Sequence, residues 1–209
     1  MPTKTFFHLP LEKQKKLLDA GEREFSRIDF SLSSINRIIQ DAGVSRGSFY
    51  MYFKDKEDLY FYILEKYMAK MYQRLLENIE KCRGDFIQAF ELLYGTLIES
   101  CFKEEKGELF KNMFLNMRFT TEKKMKLQPP KDVIRKNHQE ILDYIDKKLY
   151  NYQSEEELID IFSFVMLVTM SSVTYTLLNP LERDREKTNY HRRLEIIRMG
   201  ILRRKDSNV

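Results

Sequence analysis

Apolar positions recur at spacings of three and four residues along almost the whole chain, and alternating strand patterns are nearly absent, so the pattern predicts helices throughout. Pro10 suits a helix start, and Leu18, Gly21, Phe25 and Ile28 share one face of a helix running to about Arg27. "DFSLS" (29–33) reads as a turn, after which Ser33 is placed to cap a short helix with Ile35, Ile38, Ile39 and Ala42 on its inner face. Gly43 ends that helix in the left-handed conformation, and Ser45 caps a brief helix over 46–52. Asp55 and Asp58 stand as cap and third position of a long helix reaching about Lys81. In it Tyr60, Leu64, Met68, Met71, Leu75 and Ile79 keep to one side. "CRGD" (82–85) breaks the pattern, and helices follow at about 85–103, 107–119, 130–150, 154–178 and 182–204, punctuated by "QPP" (128–130) and "NP" (179–180). The expected fold is all-α: an N-terminal three-helix helix-turn-helix domain over 1–55, then a larger C-terminal helical bundle over 56–209.

The corner at Ala42-Gly43-Val44 gives the first domain its chemistry. Alanine allows close approach, glycine permits the turn, and valine plugs the angle between helices, with Phe49 and Phe53 facing inward beside it. In a helix-turn-helix the helix after the corner enters the major groove while the one before it crosses the DNA backbone. The outward residues of 46–52 fit that task. Arg46 can pair with a guanine edge or a phosphate, Ser48 with a base or sugar, and Met51 with a thymine methyl. Tyr50 and Tyr52 carry hydroxyls suited to phosphate oxygens, and Lys56, in the first turn of the next helix, can neutralise a phosphate.

Charge alone would not have pointed there. The formal net charge is +4, and residues 1–60 hold ten Lys/Arg against nine Asp/Glu, so any nucleic-acid footprint in this domain is local. Residues 181–209 carry nine Lys/Arg against five Asp/Glu, read here as a solvated helix face with a frayed tail.

The block "INRIIQDAGVSRGSFYMYFKDKEDL" resembles the N-terminal domain of the TetR family of bacterial transcriptional regulators. The features that carry the resemblance are Ala42-Gly43-Val44-Ser45, Arg46, Gly47, Ser48, Phe49, Tyr50, Tyr52, Phe53, Lys56 and Leu59, and the strong likeness covers about residues 9–64. The resemblance implies an all-helical homodimer that binds a palindromic double-stranded DNA operator. It also implies a C-terminal domain that carries the dimer interface and binds an effector, whose arrival releases the operator. It adds Ser34 and Gly47 to Arg46, Ser48, Tyr50, Tyr52 and Lys56 as DNA contacts, and leaves Met51 at a variable position that tunes operator preference.

Residues 85–178 are rich in Phe, Met, Tyr and Leu. Phe86, Phe90, Tyr94 and Leu97 share a face, and Phe102, Phe110, Phe114, Met117, Phe162, Met166 and Met170 are pliable or aromatic side chains of the kind that line a pocket for a small, largely apolar effector. The same residues are what a helical core contains. Ile161–Leu178 has eighteen residues without a charge; a membrane span is conceivable by length, and a fully buried helix of a soluble cytoplasmic protein is the preferred reading. The same resemblance implies that the two last helices are the dimer surface, and Ser171 and Ser172 are small enough to allow close packing. Enzyme signatures are absent: there is no HExxH, glycine-rich phosphate loop, nucleophile elbow or CxxC, and only His8, His138 and His191 occur. No metal or cofactor is expected, and Cys82 and Cys101 read as small hydrophobes. The rival reading is a helical protein-interaction module whose head binds a protein.

Overall fold

A computed structural model describes residues 1–103, 111–112 and 140–201. Among them the helices are α1 (Lys4–Phe7), α2 (Leu11–Arg27), α3 (Ile35–Ala42), α4 (Arg46–Tyr52), α5 (Lys56–Lys81), α6 (Phe86–Lys103), α7 (Glu155–Leu178) and α8 (Arg183–Ile201), with no β-strand among the described residues. They form two compact units: Met1–Met71 with Lys103, Lys111 and Asn112, and Tyr72–Phe102 with 140–201.

In the first unit, α2, α3, α4 and the start of α5 enclose a core of Leu17, Leu18, Phe25, Ile38, Phe49, Phe53, Leu59, Tyr60 and Ile63, joined by Phe6 from α1. Its aromatic rings meet edge-on or tilted, as Phe25 with Tyr60 at 5.1 Å and Phe6 with Phe53 at 5.0 Å, arrangements that add to the burial of apolar area. The C-terminal end of α3 is Gly43 at φ 67°, ψ 34°, and its amide and that of Val44 bond back to Gln40 and Ile39. A residue with a Cβ would be strained there, which is why the corner needs glycine.

The cap of α3 is Ser34, not Ser33. Ser33 closes a short 3-10 turn, Phe30–Leu32, and spends its hydroxyl on the carbonyl of Phe30 at 2.7 Å. The expected cap of α5 holds: the amide of Asp58 donates to Asp55 Oδ1 at 2.8 Å, and Asp58 in turn accepts from the amide of Lys54. Met68, placed by periodicity on the inner stripe of α5, is exposed.

The second unit packs α6 against α7 and α8. Phe86, Phe90, Tyr94 and Leu97 are all buried, as their shared face requires. Gly84 enters α6 at φ 85°, with its carbonyl accepting from the amide of Asp146, and a Cβ there would lie 2.2 Å from that nitrogen. The helix expected over 130–150 ends early: after Leu142 the chain turns, and only Lys147–Leu149 forms a 3-10 turn, capped by Asp146. α7 is capped by Ser154 and opens with Glu155, Glu156 and Glu157, charges favoured at a helix N-terminus.

α7 departs from the expected full burial. Thr169, Ser172, Val173 and Thr176 face inward, but Phe164, Leu167, Ser171, Tyr175 and Leu178 form an exposed stripe at helical spacing. This helix is long and apolar enough to cross a membrane, yet its buried face carries polar groups with specific partners. Tyr94 OH meets Thr176 Oγ1 at 3.0 Å, Thr169 Oγ1 meets Tyr190 OH at 2.8 Å, and the Tyr94 and Tyr190 rings stack at 4.3 Å. Arg193 donates to Ser172 Oγ and pairs with the buried Glu186. Such fully paired polar contacts fix the register of α7 on α6 and α8.

Candidate nucleic-acid interface

The candidate contacts Arg46, Gly47, Ser48, Tyr50, Met51 and Tyr52 lie on the seven-residue α4, and Ser34 lies at the start of α3. Sequence alone explains why α4 presents them. Ser45 Oγ accepts from the amide of Ser48 and starts the helix, while Phe49 and Phe53 are driven to full burial. That leaves Arg46, Gly47, Tyr50 and Met51 exposed, with Ser48 and Tyr52 half-buried at the margins. Ser48 also exchanges a hydroxyl contact with Ser45 at 2.9 Å, so its oxygen serves the cap as well as the surface.

Arg46 is not a loose surface charge. Its Nη1 donates to Asn36 Oδ1 at 2.6 Å, its Nη2 to Tyr50 OH at 3.4 Å, and its guanidinium lies 5.7 Å from the Tyr50 ring centre. Two of five donors are engaged, leaving the rest of the fork for an acceptor outside the chain. Asn36 was missed in the sequence. Its role depends on a pairing across two helices, and the only trace in the sequence is a polar residue on the outer face of α3 opposite Ile35, Ile38 and Ile39.

Lys56 is placed differently from its α4 companions. Its ammonium donates to the carbonyls of Phe30 at 2.8 Å and Ser33 at 2.9 Å, with Ser31 at 3.4 Å, and it sits 4.7 Å from the centre of the Phe30 ring. Buried Glu24 accepts the amide of Ser34 at 2.9 Å while pairing with Arg27. Lys56 and Glu24 therefore clamp the turn that leads into α3, and so fix where Ser34 stands. Ser34 makes no side-chain cap bond, which leaves its hydroxyl for other partners.

Of the candidate effector residues, Phe90 and Phe162 are brought together with ring centres 5.1 Å apart, both buried, next to Phe86. Met166 and Met170 are half-buried on α7. Phe102 is exposed beneath the Arg183 guanidinium, 5.3 Å from its ring. Phe110, Phe114 and Met117 lie outside the described residues, as does His138. Cys82 and Cys101 are not joined in a disulfide, and burial raises the Cys82 thiol above its usual pKa. Among the described residues no His, Cys, Asp and Glu cluster has the make-up of a metal site.

Two family profiles match the chain: bacterial regulatory proteins of the tetR family over residues 17–63, and the tetracyclin repressor-like C-terminal domain over residues 85–201. The chain belongs to the TetR family. The first match spans the helix-turn-helix and the second more than half of the chain. Among curated relatives, this TetR-family chain is 34% identical over 98 residues to the transcriptional regulator AcrR of Shigella flexneri, 47% of this chain and 46% of that one. It is 30% identical over 79 residues to the transcriptional repressor NemR of Escherichia coli, 38% and 40% of the two chains. It thus spans under half the length of these relatives. Both are transcriptional regulators, not enzymes. Its fold is similar to that of SmeT, the repressor of a Stenotrophomonas maltophilia multidrug efflux pump, at TM-score 0.62 and 17% identity, covering 94% of each chain. A Pectobacterium atrosepticum TetR-family regulator gives TM-score 0.64 at 17% identity, covering 90% of this chain and 93% of that one.

Proposed function

We propose that this TetR-family protein is a ligand-responsive transcriptional repressor. As a homodimer it binds a palindromic double-stranded DNA operator in the cytoplasm and releases it when a small, largely apolar effector binds. Residues 1–55 read DNA, and residues 56–209 bind effector and form the dimer. The observation that carries the reading is the Asn36–Arg46–Tyr50 arrangement, a guanidinium held in place on an exposed recognition helix with donors to spare. Arg46 reads a base edge, Met51 probes a neighbouring methyl, and Tyr50, Tyr52, Ser48 and Ser34 bond phosphate or sugar, as does the amide of Gly47. Lys56 reaches phosphate only by exchanging its carbonyl partners, so its larger contribution is to brace Ser34.

The dimer is supported by the exposed stripe of α7 together with Ile196 and Met199 of α8. Phe164 is 55% exposed, Leu167 65% and Met199 78%, a run of apolar area that a second copy would cover. On this reading the effector binds near Phe90, Phe162, Met166 and Met170, with Phe102 as a further contact. A pliable aromatic site of this kind suits a hydrophobic compound.

The test is a salt titration of the full-length protein on duplex DNA from upstream of its own gene, against a scrambled duplex. Selective binding whose logarithm falls steeply with the logarithm of salt is expected. Equal, weak binding to both duplexes would overturn the DNA reading and favour a protein-interaction module.

A further inference from the structure

A helix as short as α4 leaves most of its last carbonyls without partners inside the helix. Here there is no glycine after it to supply a closing turn: Phe53 follows in the extended conformation, and its amide serves only the carbonyl of Phe49. The last two carbonyls of α4 are met from elsewhere. Thr3 Oγ1 donates to the carbonyl of Met51 at 2.6 Å, and the Thr3 amide donates to that of Tyr52 at 2.9 Å. Both bonds come from a residue some fifty positions earlier in the chain.

The segment that delivers Thr3 is fastened on both sides. Pro2 is buried before it. Phe6, on α1, is fully buried and lies against Phe53 at 5.0 Å, Tyr62 at 5.6 Å and Tyr52 at 6.4 Å. Gln14 of α2 donates to the carbonyl of Leu9 at 2.9 Å and holds the exit from α1. Residues 2–9 therefore form an arm bonded to the C-terminal end of the recognition helix. They lie outside residues 17–63, which the family's DNA-binding profile matches.

We infer that this arm is a positioning element for DNA recognition: Thr3 caps α4, Phe6 anchors the cap, and together they set where Tyr50, Met51 and Tyr52 meet the duplex. The inference rests on the DNA-binding reading above. Without the cap, the last turn of α4 frays and side chains on that turn lose their fixed aim, whereas Arg46 gives up its contact with Tyr50 but keeps its bond to Asn36. The arm therefore governs preference at the base pairs nearest Met51 more than at those read by Arg46.

The experiment uses full-length protein and a duplex enriched by the wild type from a random-sequence library. Thr3→Val keeps the shape of the side chain and removes its donor, and Thr3→Ser restores the donor. Thr3→Val is expected to weaken binding about three- to tenfold, the scale of one lost hydrogen bond. It should also flatten base preference on one flank of each half-site, and Thr3→Ser should recover both. Amide hydrogen exchange, without DNA, should speed up for residues 50–53 in Thr3→Val while α2 stays protected. Wild-type affinity, preference and exchange in Thr3→Val would overturn the inference. A uniform loss across all base positions, unrescued by Thr3→Ser, would also overturn it, by reducing the arm to general stability. If the wild type enriches no duplex, the DNA reading fails first and the inference falls with it, whatever the exchange data show.

Discussion

The two compact units solve opposite surface problems. The first buries most of its large rings and presents, on and beside α4, a small set of residues with hydrogen-bonding chemistry: Arg46, Tyr50 and, one helix away, Asn36. The second buries its polar groups, the Tyr94–Thr176 and Thr169–Tyr190 pairs and Glu186 with Arg193, and leaves outside Phe164, Leu167, Leu178 and Met199. A polar exterior on a small aromatic core suits contact with a charged, hydrated partner. An apolar exterior on a core stitched by hydrogen bonds suits a partner that excludes water. The difference supports the proposal of separate kinds of partner: DNA for the first unit, a second copy of the chain for the second.

The comparison can be broken at its strongest points first. Phe49→Ala empties the centre of the first unit and should cost about 3–5 kcal/mol there. Hydrogen exchange should show residues 11–53 losing protection while 155–178 keep theirs; equal loss in both would mean that the units do not unfold separately. Next, Leu167→Asp places a charge in the exposed stripe of α7 and should weaken self-association by at least about a hundredfold, near 3 kcal/mol, without loss of helix content. Sedimentation equilibrium reads this, and an unchanged mass would remove the stripe from the interface. A smaller effect is expected from Arg46→Ala, about 1–3 kcal/mol of discrimination at one base pair in each half-site, read by competition with singly substituted duplexes.

The smallest concerns the internal bonding of the second unit. Asp85 accepts from Arg198 at 3.0 Å, Tyr150 OH at 3.0 Å and the amide of Gln88 at 3.0 Å, so one carboxylate ties the start of α6 to the end of α8 and the 147–150 turn. Asp85→Asn should lower stability by about 1–2 kcal/mol in thermal unfolding, leaving DNA preference unchanged.

Most of the first unit was legible in the sequence because each local signal agrees with the fold around it. Gly43 marks the corner, Ser45 and Asp55 mark helix starts, and Phe49 and Phe53 fall four apart on an inner face. The exceptions are all contacts between elements. Asn36 becomes meaningful only when Arg46 lies over it. Lys56, legible as a free cation in the first turn of a helix, is drawn to three carbonyls by the fold of the 30–33 turn. Ser33 and Ser34 are chemically interchangeable as caps, and the 3-10 turn decides between them. In the second unit the apolar run of α7 hid its own asymmetry, because a helix apolar on every side gives no periodic signal for which face stays open. Phe90 and Phe162 are buried together, yet the same aromatic content makes a core and a pocket, so composition does not separate them.

The most direct test of the central claim is a hydroxyl-radical footprint of the full-length protein on a duplex enriched from random sequence. Two protected patches related by a two-fold axis, centred about one helical turn or a small multiple apart, are the predicted result. A single patch without two-fold symmetry, or uniform cleavage along the duplex, would contradict it.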